Sequence, residues 1–196
     1  MTRRFLKAAS WPLLLCAWAA TGPAHATPAA DERLAAWLDA AYERMLASNT
    51  SLATAQGDVR GNLRWEDLSE RGLAADAALA RRELAGAQRI RSDLLSPRAR
   101  LQQRVFIGQQ QLLLERHRWR HHLYPLNQIV GPHVDVPRTL ANQPLRTRDD
   151  LEPWFTRLAG VPAHLAGLVE RLELAAARGI HLPASVYPLL IGQARG

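Results

Sequence analysis

Cysteine and lysine are nearly absent from this chain of 196 residues: Cys16 and Lys7 are the single examples, and both lie close to the N-terminus. Beyond them no disulfide can staple the fold and no thiol can serve as nucleophile or metal ligand, so stability must come from packing. Long apolar runs are missing too. The best, Trp11 to Ala20, is interrupted by Pro12 and falls short of the roughly 20 apolar residues a membrane-spanning helix needs. No segment alternates apolar with polar residues in the manner of a strand, which argues against a sheet-built core. No glycine-rich phosphate loop occurs. Ser69, Ser92, Ser96 and Ser185 lack the tight-turn surroundings of a nucleophile, and no histidine is followed directly by glutamate.

The first residues carry an export signal. Arg3, Arg4 and Lys7 make a positive start, Trp11 to Ala20 a short apolar centre, and Ala24-His25-Ala26 a small-x-small cleavage pattern. The segment 1–26 is therefore expected to be removed, leaving a periplasmic or extracellular chain from Thr27 with no transmembrane anchor. Arg3-Arg4-Phe5-Leu6-Lys7 is also similar to a twin-arginine signal, without the usual spacer before Phe5. Leu13-Leu14-Leu15-Cys16 has the outline of a lipoprotein box, but Leu15 is larger than the residue expected before a lipidated cysteine.

Removing 26 of 196 residues leaves 170, enough for one domain with a real core. The net charge of +7, less the three charges of Arg3, Arg4 and Lys7, becomes +4. Apart from histidine every remaining base is arginine, interleaved with acids such as Glu83, Asp93, Glu170 and Glu173. A nucleic-acid surface gathers its bases on one face with few acids nearby. This pattern predicts solvated helix faces and no nucleic-acid partner.

Ala, Leu, Arg and Glu dominate the remainder, so the expected fold is all-α, with antiparallel helices and one long proline-rich loop. Asp31 to Ser48 gives a first helix striped by Leu34, Leu38, Ala41 and Met45. Residues 48–64 read as a connection. A second helix starts at Asp67 or Ser69 and runs to about Leu95, with Leu73, Ala77, Ala80, Leu84, Ala87 and Leu94 inward. Ser96-Pro97 ends it and caps a third, Pro97 to roughly Leu123, with Leu101, Val105, Leu112, Trp119 and Leu123 inward. The two long helices are expected to pack together.

From Tyr124 to Arg146 the prolines at 125, 132, 137 and 144 predict an ordered loop. Thr147 and Asp150 form a capping-box pattern before an apolar side of Leu151, Trp154, Phe155 and Leu158, with Pro153 a possible start of the regular part. A further helix from Pro162 carries Leu165, Leu168, Val169, Leu172 and Ala176 and is closed by Gly179. Glu170 and Glu173 fall on its outer side near Arg171 and Arg178, a salt-bridging face. Pro183 opens a last apolar segment through Leu190 and Ile191 that ends abruptly, which suggests truncation.

This order of elements, with Tyr124-Pro-Leu-Asn-Gln-Ile-Val-Gly131, Trp154 to Val161 and Arg178-Gly-Ile-His-Leu-Pro183, resembles the N-terminal part of the bacterial family called domain of unknown function 885. The resemblance covers most of Ala30 to Gly196. It implies a larger helical, zincin-like protein, often exported, whose zinc-peptidase-like motif is a later His-Glu-x-x-His helix. There two histidines one turn apart hold zinc and the glutamate activates the bound water. The chain is therefore expected to be the incomplete N-terminal region, residues 27–196, of an exported zinc-dependent peptidase. By itself it would be non-catalytic, with no cofactor, and would build the helical scaffold beside the active-site cleft. The missing C-terminal catalytic portion would be its partner, and a peptide the substrate of the whole.

No catalytic residue transfers. The nearest metal candidates are His117 and His121, one turn apart on the third helix, but Arg118 stands where glutamate would, and Arg116 and Arg120 flank it. A unit charge pair at 4 Å is worth roughly 4 kcal/mol at an effective dielectric of about 20, so a basic face meeting the rest of the protein or an acidic solute is the better reading. His133 and His181 read as loop histidines. A stand-alone periplasmic binding or adaptor module, using the proline-rich loop and the basic face, is the alternative.

Overall fold

In the computed structural model, which describes residues 26–195, Thr27 opens the first helix: its Oγ1 accepts from the Ala30 N–H at 3.3 Å. Proline follows at the first helical position, where its missing N–H costs nothing. The signal features, Ala26 apart, lie outside the described residues. Helix α1 (Pro28–Ser48) is followed by a short α2 (Thr50–Ala55), within the stretch expected to be a plain connection. Asn49 explains that difference, because its Oδ1 caps the Leu52 N–H at 2.9 Å.

Ser69 caps α3 (Glu70–Arg89) by accepting from Gly72 N–H, and Ser96 caps α4 (Pro97–Arg118) by accepting from Ala99 N–H. The two helices pack as a hairpin, as expected. Their connection is longer than two residues, since α3 ends at Arg89 and a single 3₁₀ turn follows at Ser92–Leu94. Gln103 accounts for the break. Buried on α4, it donates its amide to the carbonyls of Ala87 at 2.8 Å and Ile90 at 2.7 Å, which the end of α3 would leave unpaired. α1 lies against this hairpin: Asp31 accepts from Ser96 N–H at 2.9 Å, and Thr27 N–H donates to the Leu94 carbonyl at 2.9 Å. Between them Ala30, Leu34, Leu95 and Ala99 form the apolar core, flanked by Leu38, Ile90 and Leu94.

The inward face of α4 differs from its apolar pattern. Leu101, Val105, Leu112 and Trp119 are each more than half exposed, while Ala99 and Gln103 are buried; Leu123 is buried but lies beyond the helix. α4 turns its small and amide side chains to α3 because those allow close approach and close the α3 carbonyls. On α1, similarly, Leu46 rather than Met45 is buried.

The proline-rich loop is in part a helix, α5 (Pro132–Asn142). Pro132 sits at its first position, and Pro137 interrupts it at the loss of one backbone bond, which the burial of Pro132, Val136 and Thr139 offsets. Thr147 and Asp150 make the expected capping box, and a 3₁₀ turn at Arg148–Asp150 leads into α6 (Leu151–Ala159), two residues before Pro153. α6 exposes Leu151, Phe155 and Leu158 and buries Arg157 instead. α7 (Val161–Ala177) carries Pro162 in its first turn and closes at Gly179, whose φ of +70° is left-handed, as expected. Val169 is half exposed, whereas Arg171 is buried. α8 (Tyr187–Arg195) ends the described chain with no buried residue. Among the described residues there are eight α-helices and no strand, and no helix is long and apolar enough to cross a membrane.

Candidate functional site

The structure takes His117 and His121 off a common helix, although both line one cavity of about 280 Å³. α4 stops at Arg118, Arg120 adopts a left-handed φ of +54°, and His121 falls in the 3₁₀ turn His121–Leu123 beyond the helix. His117 instead stacks on His122 with ring centroids 5.4 Å apart. Burial pushes the His122 imidazole pKa down, and the neighbouring His117 and Arg171 push it further. The same repulsion would act on a divalent cation, so these residues do not fit a zinc ion. Among the described residues no three histidine, cysteine, aspartate or glutamate side chains converge to hold a metal. His133 lies on the first turn of α5 rather than in a loop, its Nε2 buried without a partner. His181, Glu170 and Glu173 are exposed, as the sequence implied.

The most heavily built polar cluster centres on Arg157, which the sequence marks only as part of the Trp154 to Val161 segment, with no role in a site. Arg157 of α6 is fully buried, and its guanidinium donates to Thr54 Oγ1 at 2.5 Å, Gln143 Oε1 at 3.3 Å and Thr50 Oγ1 at 3.5 Å. Its charge lies 4.7 Å from the Trp65 ring centroid, while Trp65 Nε1 donates to the Arg157 carbonyl at 2.8 Å. No carboxylate is within salt-bridge distance among the described residues, Nε is unpartnered, and burial lowers the pKa. Arginine still stays charged. The cluster ties α2, Trp65, α5 and α6 together. The signal available in the sequence was polar: Thr50 and Thr54 stand one helical turn apart, in a segment too polar to announce a core.

Over this cluster lies a cleft of about 570 Å³ between residues 63–69 and α7, lined by Trp65, Glu66, Gly160, His164, Gly167 and Glu170 among others. Gly160 and Gly167 permit it, since β-carbons there would press on Trp65 and on Leu68. His164 stacks on Trp65 at 4.8 Å, and its Nδ1 lies 3.1 Å from the Glu66 carbonyl. Burial pushes the His164 pKa down, so at neutral pH the ring is uncharged, with Nδ1–H donating and Nε2 left as an acceptor. That arrangement can accept a hydrogen bond from a ligand; it supplies neither a nucleophile nor a metal set.

A second groove, of about 430 Å³, runs between α1, α3 and α4; its lining is mostly apolar, with Tyr42, Met45, Leu79, Phe106 and Leu113, and carries the carboxylates Glu66, Asp76 and Glu83. Glu83 is buried and held by Arg44, with Nε at 2.7 Å and Nη2 at 2.8 Å, which keeps its carboxyl below the usual range. Solvent reaches part of Asp76, yet protein crowds its carboxyl and raises the pKa, with the Glu66 and Asp67 charges adding.

The described residues form an all-α fold with a helical hairpin and a polar interior at one end. The chain belongs to the family described as bacterial protein of unknown function (DUF885), whose model matches residues 51–196, well over half of it. The match begins at Ser51, so α1 lies outside it, whereas the resemblance read from the sequence starts at Ala30. No curated protein matches the chain.

Proposed function

We propose that this chain is the exported, non-catalytic N-terminal portion of a zinc-peptidase-like protein, forming a helical wall beside the cleft in which a peptide would be cleaved. The observation that carries the reading is the unpartnered apolar face of α4. Leu101, Val105 and Leu112 are each more than half exposed on one side of a 22-residue helix, and Trp119 beyond it is still more exposed. A row of exposed apolar side chains along one side of a helix suits a contact face. Its occupant in this reading is the metal-bearing helical portion of the same protein, which would present an apolar face of its own.

The wall is suited to that role by its stiffness. The Arg157 cluster locks α2, α5 and α6, and Gln103 locks the hairpin. The zinc chemistry implied by the resemblance belongs to residues outside this chain; the groups present here position and support.

Sequencing the genomic DNA past the codon for Gly196 tests the reading. A continuing frame that encodes His-Glu-x-x-His supports it. A sequence without such a motif, together with a soluble monomer from Thr27 to Gly196 that melts sharply, contradicts it and favours a stand-alone binding module.

A further inference from the structure

We infer that the basic cleft between the start of α3 and the end of α4 is a binding site for a phosphate monoester dianion. The cleft, of about 390 Å³, is lined by Glu70, Leu73 and Ala74 of α3, by His117, Arg118, Arg120 and His122, and by Arg178.

Four observations converge there. First, Arg120 and Arg178 have no carboxylate within salt-bridge distance among the described residues, while Arg118 meets one, Glu115 at 3.4 Å, and lies over the Trp119 ring at 5.5 Å. Second, Arg120 is the sole non-glycine residue with positive φ among the described residues. Such a conformation costs of order 1 kcal/mol or more and collects at functional sites. Here it turns the chain back so that His122 faces His117 at 5.4 Å, placing two imidazoles beside the arginines. Third, Arg171 lies behind the cleft, more than nine-tenths buried, with Nη1 donating to the His122 carbonyl at 3.4 Å and Nε unpartnered. It adds a buried positive charge without a counter-ion. Fourth, Glu70 is the one carboxylate lining the cleft.

Neutralisation of the α4 dipole does not account for this charge. A helix C-terminus carries about half a negative charge, whereas Arg116, Arg118, Arg120 and Arg178 bring four positive ones against Glu115 and Glu70. A single carboxylate would satisfy one guanidinium fork. A phosphoryl group with three terminal oxygens can accept from two arginines and an imidazole at once, and its double charge meets the excess. The inference is independent of the peptidase-like reading, since the cleft is built wholly from this chain.

The test is titration calorimetry of the purified chain with inorganic phosphate and with glycerol phosphate, using acetate at matched ionic strength and phosphatidylglycerol vesicles as comparison arms. Histidine ring ¹H–¹⁵N spectra are recorded alongside. Both phosphates are expected to bind and to shift the His117 and His122 resonances. Arg120→Gly, which relieves the backbone while removing the guanidinium, combined with Arg178→Ala, is expected to weaken binding at least tenfold with unchanged circular dichroism. Arg98→Ala, on the far end of α4, is expected to leave binding unchanged. No phosphate binding, equal binding of acetate, vesicle binding tighter than glycerol phosphate at equal phosphate, or unaltered binding in the double variant would each overturn the proposal.

Discussion

The two ends of this molecule are held by opposite chemistry. Where α1 meets the α3–α4 hairpin, Ala30, Leu34, Leu95 and Ala99 exclude water, and Asp31 and Gln103 pair at the edges, while the indole N–H of Trp37 is buried without a partner. Where α2 meets α5 and α6, the centre is a guanidinium surrounded by Thr50, Thr54, Gln143 and the face of Trp65. The apolar end tolerates imperfect partners, because burial is non-directional. The polar end does not, since each group removed leaves another buried without a hydrogen bond.

Breaking the polar end should cost most. Arg157→Ala is expected to destabilise the chain by about 4 kcal/mol, through lost hydrogen bonds and an unfilled space, read from the urea midpoint. Arg157→Met should cost less than half of that, because an apolar chain of similar length removes the charge without opening a cavity. Equal losses would mean that the cation itself holds the cluster. At the apolar end Leu34→Ala is expected to cost about 3 kcal/mol by the same assay.

A β-carbon at Gly86 would overlap the Trp37 ring that lies across α3. Gly86→Ala should therefore lower stability by about 2 kcal/mol despite alanine's better helix propensity; a gain would show that Trp37 moves freely. The Arg44–Glu83 pair gives a smaller effect with a defined pH signature. Because Arg44 lowers the Glu83 pKa, the pair's contribution is complete above the ordinary glutamate value of about 4.3 and is lost as pH falls through the folded value. The stability difference between wild type and Glu83→Gln, about 1.5 kcal/mol at neutral pH, should shrink on acidification in urea titrations. A difference that grows would contradict the assignment. Smallest of all, Leu101→Glu should change the stability of the chain by no more than about 0.5 kcal/mol.

The same contrast explains what the sequence revealed. Helical periodicity, the serine caps at 69 and 96, the capping box at Thr147 and the closing Gly179 are local signals, and each recurs in the structure. The apolar core was legible through Leu34, Ala77, Ala80 and Ala87, all buried. The polar end was not, because Arg157 and Arg171 resemble solvated residues until their long-range partners are known. The same limit reversed the face of α4: Leu101, Val105 and Leu112 were read inward by hydrophobicity alone, whereas Gln103 takes the inward place by closing the carbonyls of Ala87 and Ile90. A proline count likewise hid α5, whose Pro132 begins a helix rather than preventing one.

The outward apolar face of α4 is where the functional account is most exposed to test. Light scattering and dye binding on the chain from Thr27 to Gly196 should show self-association and bound anilinonaphthalene sulfonate, both suppressed by combined Leu101→Glu, Val105→Glu and Leu112→Glu substitutions with circular dichroism unchanged. A wild-type chain that stays monomeric and binds no dye would contradict the account.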